Sequence, residues 1–414
     1  VIDLKSGDCL EILPTLTENS LDACVTDPPY HLTSQVATTR SAFPGRYAGT
    51  KGAAVGFMGK QWDGGDIAFR PETWAEVYRV LKPGAHLLAF GGTRTYHRMA
   101  CAIEDAGFEI RDTIMWVYGS GFPKSHDVSK GIDRAAGAER QVVGKYVSPE
   151  NTSGGKGRRF CHDPTRELNG LPDITAPATD AARQWQGWGT ALKPACEPIV
   201  LARKPLSEKT VAANVLKWGT GALNIDGARI PASDERSGGF GNGKRPWQTG
   251  DVGGNTTYVG SEVGRWPANI LHDGSEEVVD GFPDTQSGIL RGSSIKAPNQ
   301  IYGSRPKKLD GEWDYGDSGS AARFFYCAKA SKAERNGSKH PTVKPLKLMQ
   351  YLIRLVTPKG GTILDPFAGS GTTGQAALNE GCHAILIERE PEYQIDIQRR
   401  LESGLIPLIT GNMI

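Results

Sequence analysis

Residues 26–30 read Thr-Asp-Pro-Pro-Tyr and follow Leu21-Asp22-Ala23-Cys24-Val25, a short apolar run with the composition of a buried strand. Proline has no N–H to give to a sheet ladder, so the chain must leave its sheet at Asp27. The rim of that sheet then carries a carboxylate, a pair of carbonyls and an aromatic ring. Pro28 and Pro29 stiffen the loop so that a carbonyl points outward, and Tyr30 offers a face for stacking. In isolation the same residues would also make a turn-forming aspartate and a core tyrosine.

A second stretch with chemical content lies far downstream. Thr362-Ile363-Leu364 runs as a strand into Asp365-Pro366-Phe367-Ala368, and Gly-Ser-Gly-Thr-Thr-Gly follows at 369–374. After a helix and the strand Ala384–Ile387 comes Glu388, about 20 residues beyond the loop, which is formally the nicotinamide fingerprint. An NAD oxidoreductase therefore competes. Asp365 argues against it, because a carboxylate at the strand end would repel a pyrophosphate. It suits a cofactor with positive charge, such as the sulfonium and ammonium groups of S-adenosylmethionine, and Glu388 is placed to accept from ribose hydroxyls. Gly238–Lys244 has phosphate-loop spacing, but Arg245 stands where Ser or Thr is required and no apolar strand precedes it.

The elements that must position these residues follow an α/β pattern. Ile2–Lys5, Ala23–Thr26, His86–Phe90, Ile114–Val117 and Pro198–Ala202 read as strands, and Pro71–Leu81 and Tyr96–Ala106 as helices. Late in the chain come a helix at Leu346–Leu355, the strands around Ile363 and Ile385, a helix after Gly371 and a last helix at Glu392–Leu401. Residues 31–65, 122–190 and 224–320 are rich in Gly, Ser, Asp and Pro and lack periodicity.

Near-average apolar and charged fractions and a formal net charge of +2 describe a globular protein with no global field to announce a nucleic-acid partner. Charge is segregated locally. Residues 285–309 contain Arg291, Lys296, Arg305, Lys307 and Lys308 and no acid, and 323–347 contain a lone acid, Glu334. Seven scattered cysteines with no C-x-x-C argue against a zinc site or a disulfide framework and suit a reducing cytosol. No secretory leader or membrane-spanning apolar run is expected.

Taken together, T-D-P-P-Y at 26–30 and D-P-F-A-G-S-G-T-T at 365–373 resemble the two diagnostic motifs of DNA amino-methyltransferases. Their order, with the catalytic motif first, resembles the beta class, a circular permutation of the fold. H-P-T-V-K-P at 340–345 looks like that family's third cofactor motif, and Gly7-Asp8-Cys9 matches its adenine-contact position. The segments 188–205 and 323–335 look like those of phage and prophage modification enzymes.

The resemblance implies a Rossmann-like S-adenosylmethionine-dependent fold, with a mostly parallel seven-stranded sheet, circularly permuted, and a large irregular insertion. It implies a catalytic half at 1–205, containing a loop at 31–65 and an insertion at 122–190. A target-recognition region at 206–320 and a cofactor half at 321–414 follow. The catalytic set would be Asp27, Pro28, Pro29 and Tyr30. The cofactor would be held by Asp8, Cys9, Asp27, His340, Thr342, Lys344, Pro345, Asp365, Pro366, Phe367, Ala368, Gly369, Ser370, Gly371, Thr372, Thr373 and Glu388. No metal is implied. In the family's geometry the Asp27 carboxylate and the Pro28 carbonyl accept the two hydrogens of an exocyclic amine on a flipped base. Asp at the first motif position favours N6 of adenine, with N4 of cytosine the nearest alternative. Cytosine C5 chemistry needs a thiolate in a Pro-Cys context, which is absent. A non-catalytic DNA-binding relic is a further reading, against which the intact motif speaks.

DNA is the implied partner. Dimers are common in the class without an interface legible here, and a single chain names no cognate restriction nuclease. DNA contacts are expected from Arg40, Arg46, Lys51 and Lys60 of the long loop, from Arg291 and Lys296, and from Lys329, Lys332 and Arg335 at helical spacing. Substituting Lys51 or Lys60 by alanine should weaken DNA binding and make its salt dependence shallower. An unchanged slope in a fluorescence-anisotropy titration would count against a phosphate contact.

Overall fold

Short apolar runs and amphipathic stretches alternate through both ends of this chain, and they fold as one sheet with helices on both faces. The structure is a computed structural model that describes residues 1–31, 66–119, 121, 125–145, 173–230, 264–286, 290–291, 312–313, 318–328 and 343–403. Its main sheet uses β1 (Ile2–Ser6), β2 (Leu21–Thr26), β3 (Leu81–Phe90), β4 (Glu109–Val117) and β5 (Cys196–Arg203). It continues with β6 (Ile270–His272), β7 (Tyr326–Cys327), β8 (Thr362–Asp365) and β9 (His383–Glu388).

The spatial order is β1-β9-β8-β2-β3-β5-β4-β6-β7. All neighbours pair in parallel except β5, which runs antiparallel to both β3 and β4. The sheet has two strands more than expected. Strands β6 and β7 extend it beyond β4 with three and two residues, too few to show alternation in the sequence.

Alternation along each strand builds the two cores. Val25, Leu88, Ile199, Leu201 and Ile363 face one layer, where the helix Leu346–Val356 buries Leu348, Leu352 and Leu355. Cys24, Leu87, Val200, Ala202 and Leu364 face the other, against Trp74, Val77 and Val80 of the helix Pro71–Val80 and Ile103 of the helix Tyr96–Asp105. Pro71 opens its helix where the missing N–H costs nothing, and Trp74 Nε1 donates to Ala68 O at 2.9 Å. Losing a buried tryptophan of this kind costs about 3–5 kcal/mol.

Residues Ser120–Ala195 form a second compact unit, which includes the segment read as an insertion. Within it, an antiparallel pair of strands, Val142–Lys145 and Asp173–Thr175, accompanies two short helices. Its centre is the fully buried Asp133, which accepts from Arg140 Nη1 at 2.6 Å, Ala178 N at 2.9 Å, and Thr179 N and Oγ1 at 3.0 and 2.8 Å. No helix of the described residues is long and apolar enough to cross a membrane.

Two local devices fix the strand ends that matter below. Buried Asp22, early in β2, accepts from Lys82 Nζ at 2.5 Å and from Thr362 N at 2.8 Å, which ties β3 and the start of β8 to β2. Beyond β2, His31 sits at φ 50° and its Nε2 accepts from Ala68 N at 3.2 Å, so the two ends of the segment between them meet at a buried bond. Asp22→Ala strips the acceptor from Thr362 N and should lower stability by about 1–3 kcal/mol. Urea denaturation checks this, and an unchanged midpoint would show that the tie is dispensable.

Candidate active site

Four consecutive strands, β1, β9, β8 and β2, run parallel and end side by side. Their carboxyl ends deliver the sequence motifs in one row: Asp8 after β1, Glu388 ending β9, Asp365 ending β8 and Asp27 after β2. Strand β8 leads outward to β9 while β2 leads the other way to β3, so the crevice between β8 and β2 is where the sheet order reverses.

The two principal motifs touch directly. Thr26 Oγ1 donates to Asp365 Oδ1 at 2.6 Å. Asp365 also accepts from Phe367 N at 3.1 Å and from Thr373 Oγ1 at 2.5 Å. Its oxygens therefore hold the loop in shape. Burial pushes the carboxyl up to about 6, although Thr26, Thr373 and the Phe367 N–H all favour the ionised form. Gly369 and Gly371 turn the loop at φ 52° and 73°, and Gly371 leads into the helix Thr372–Asn379. Ser370 and Thr372 share a hydrogen bond, and Arg400 Nη1 donates to Ser370 O and to Thr372 Oγ1. Pro366, Phe367 and Ala368 supply the backbone of the turn, with Ala368 N donating to Ile387 O.

Glu388 accepts from Gly369 N at 2.7 Å and Glu390 N at 2.8 Å. Burial raises its carboxyl to about 7, with Asp365 adding to the rise. Asp8 caps the short helix that follows it by accepting from Leu10 N at 2.9 Å. The thiol of Cys9 is pushed up to about 12 by burial and by Asp8, which keeps it neutral.

Asp27 has two unlike oxygens. Oδ2 lies 3.0 Å from Lys344 Nζ, whereas Oδ1 is buried with no hydrogen-bond partner among the described residues. Pro28 is buried beside it. Tyr30 anchors the loop through its carbonyl, which accepts from Thr95 Oγ1 at 2.8 Å. The Tyr30 hydroxyl donates to Glu197 Oε2 at 3.0 Å, and burial, Asp27 and Glu197 hold it far above the usual phenol range.

Lys344, expected among the cofactor residues, instead aims its ammonium at Asp27, Tyr30 and Glu197, while Pro345 caps the helix Leu346–Val356. Glu197 carries a site role that the sequence reading missed. The only hint was an acid at the head of the otherwise apolar run Pro198–Ala202. His340 and Thr342 lie outside the described residues, as do Arg40, Arg46, Lys51, Lys60, Lys296, Lys329, Lys332 and Arg335; of Arg291 only the strand backbone is described. The basic runs and the near-miss phosphate loop fall largely or wholly outside them too.

Residues 21–151 and 261–399 match the family model described as DNA methylase. The chain belongs to the DNA methylase family. It is an amino-methyltransferase of the N6/N4 type that acts on DNA and uses S-adenosylmethionine. The Type II methyltransferase M.HindIII of Haemophilus influenzae is 24% identical over 415 residues, 96% of this chain and 94% of its own length. The Type II methyltransferase M2.DpnII of Streptococcus pneumoniae is 46% identical over 72 residues, 17% of this chain and 27% of that relative. Among solved structures, the M1.HpyAVI complex with S-adenosylmethionine is 17% identical, covers 97% of this chain and 99% of that one, and has a TM-score of 0.39.

The residues at the crevice fit the methyl donor of this family. Asp365 and Glu388 are two buried carboxylates with no cationic partner among the described residues, an arrangement that a cation relieves. The donor-free protein should record this in its pH dependence. Folded Glu388 holds its proton up to about 7, against about 4.5 for an ordinary glutamate. The native state then binds more protons than the unfolded state in that window, and stability falls as pH rises through it. Asp365 contributes in the same direction as pH rises through about 6. Between about pH 6 and pH 8, Glu388 should remove on the order of 1–1.5 kcal/mol. Urea denaturation of Glu388→Gln should show that slope flattened, and a slope retained in the variant would contradict the assignment.

Proposed function

We propose that this chain methylates the exocyclic N6 amine of adenine in DNA, with the target base flipped out of the duplex. One observation carries the reading: Asp27 Oδ1 is a buried carboxylate oxygen without a partner, on a backbone that two prolines stiffen, at the crevice where β8 and β2 part. Aspartate at this position is what favours adenine over cytosine in enzymes that resemble this one.

S-adenosylmethionine supplies an electrophilic methyl group. The target amine is a poor nucleophile because its lone pair is conjugated with the ring. Asp27 Oδ1 accepts one N–H and the Pro28 carbonyl the other, which draws the nitrogen towards sp³ and aims its lone pair along the line of attack. Tyr30 offers its ring to the extruded base, and one such stack returns about 1–3 kcal/mol of the cost of flipping. Glu388 and the backbone of Asp365–Thr373 hold the donor, and Asp8 lies at its adenine end. Target recognition falls to residues 206–320, and the enzyme belongs to a modification system, a reading supported by segments 188–205 and 323–335, which look like those of phage and prophage modification enzymes.

Asp27→Ala should lose methyl transfer to DNA by a factor of about 100 or more while still binding S-adenosylmethionine. Mass spectrometry of nucleosides from DNA treated with the wild type should show N6-methyladenine. N4-methylcytosine in its place would overturn the choice of base and leave the family reaction standing. Undiminished transfer by Asp27→Ala would overturn the catalytic assignment itself.

A further inference from the structure

Lys344 is buried at 8% exposure, and its ammonium has three partners. Its Nζ lies 3.0 Å from Asp27 Oδ2, 2.8 Å from Glu197 Oε2 and 2.9 Å from the Tyr30 hydroxyl. An ammonium has three donors, so this one is saturated. Phe90 and Tyr30 present ring faces to it at 4.8 and 5.2 Å. Tyr30 closes the circuit by donating to the same Glu197 oxygen at 3.0 Å.

Two features argue that this cluster serves the reaction. First, removing an ammonium from water costs several kcal/mol, and a structural ion pair recovers that with one carboxylate. Here there are two, so a surplus negative charge stays beside the crevice where the cationic donor binds. Second, the clamp is one-sided. The Lys344 ammonium meets Asp27 at Oδ2, and Oδ1 is buried without a hydrogen-bond partner among the described residues.

We propose that Lys344 and Glu197 are positioning residues for methyl transfer: together they clamp Asp27 Oδ2 and the Tyr30 hydroxyl, so that Asp27 presents Oδ1 alone to the incoming amine. The inference rests on the family's methyl transfer and is independent of which amine is chosen. Its elements come from three distant parts of the chain: the turn after β2, the head of β5 and the segment leading into the helix Leu346–Val356.

The cluster also brings two carboxylates together at one ammonium. Asp27 and Glu197 both contact one nitrogen, so their nearer oxygens lie within about 6 Å of each other. Without the cation between them, the two carboxylates would face each other with nothing to hold either oxygen in place. Among the described residues, the titratable groups that face the cluster are Tyr30 from the same loop, Asp365 from β8, Tyr118 after β4, and Cys196 beside Glu197. None of these is a cation, so none replaces Lys344.

The test uses the full chain with Lys344→Met, Lys344→Arg and Glu197→Gln. Methyl transfer to DNA is followed from radiolabelled S-adenosylmethionine, and donor affinity by calorimetry. Lys344→Met should lower kcat by about 100-fold or more while donor Kd stays within about threefold of wild type. Lys344→Arg should recover part of the loss. Glu197→Gln should lower kcat by about tenfold with donor Kd unchanged.

Donor affinity that falls in step with kcat in Lys344→Met would make Lys344 a cofactor ligand and overturn the proposal. So would wild-type kcat, or lost activity that Lys344→Arg does nothing to recover, in variants that still melt cooperatively. If Lys344→Met fails to fold, Glu197→Gln decides, and wild-type kcat in that variant overturns the clamp. A wild type that transfers no methyl to DNA would strike the family reaction instead, which separates the two failures.

Discussion

The site depends on one hydrogen bond and the pairing beneath it. Thr26 and Asp365 are 339 residues apart, yet Thr26 Oγ1 and Asp365 Oδ1 are 2.6 Å apart because β2 and β8 are parallel neighbours. Parallel pairing places both carboxyl ends at the same edge, so the acid-and-proline turn and the glycine loop share a crevice without any loop having to reach across the molecule. Asp22 secures the other end of the same pair through Thr362 N. Both faces of this strand pair are buried, which leaves the edge as the one place where it can do chemistry.

Electrostatics then divides the row of carboxylates into two kinds. Asp365 and Glu388 are buried beside backbone N–H and hydroxyl donors, and burial raises both. Asp27 and Glu197 share the Lys344 ammonium, for which burial alone would lower the pKa and the two carboxylates more than reverse the effect. The crevice therefore has a side that waits for a positive ligand and a side that carries its own cation. These environments differ although the residue types are nearly the same, and the difference comes from what each oxygen touches.

Much of the frame was legible in the sequence because strands buried on both faces read as continuous apolar runs and helices end at glycine. The helices Pro71–Val80, Tyr96–Asp105 and Leu346–Val356 match their expected bounds to within a residue. Asp27 and the Asp365 loop could be matched because proline and glycine mark turns whose form needs them. Lys344 was legible as part of a motif, yet the direction of its side chain was not. Glu197 escaped altogether: an acid at the head of a strand has no local signature, and its partners come from elsewhere in the chain. Strands β6 and β7 were missed because two or three residues cannot display a period.

The lone antiparallel strand has a consequence for how much change this site tolerates. Glu197, Ile199 and Leu201 alternate onto one face of β5, the face that packs with the helix following Lys344, while Val200 and Ala202 take the other. Glu197 meets Lys344 because it stands opposite Trp116, and the ladder between β4 and β5 has already absorbed an irregularity between Ile110 and Asp112. A slip of one residue beyond that bulge would keep the strand and most of its hydrogen bonds, but it would turn Glu197 to the far side of the sheet. Where the Glu197 carboxylate points is thus written in the residue count of two paired strands.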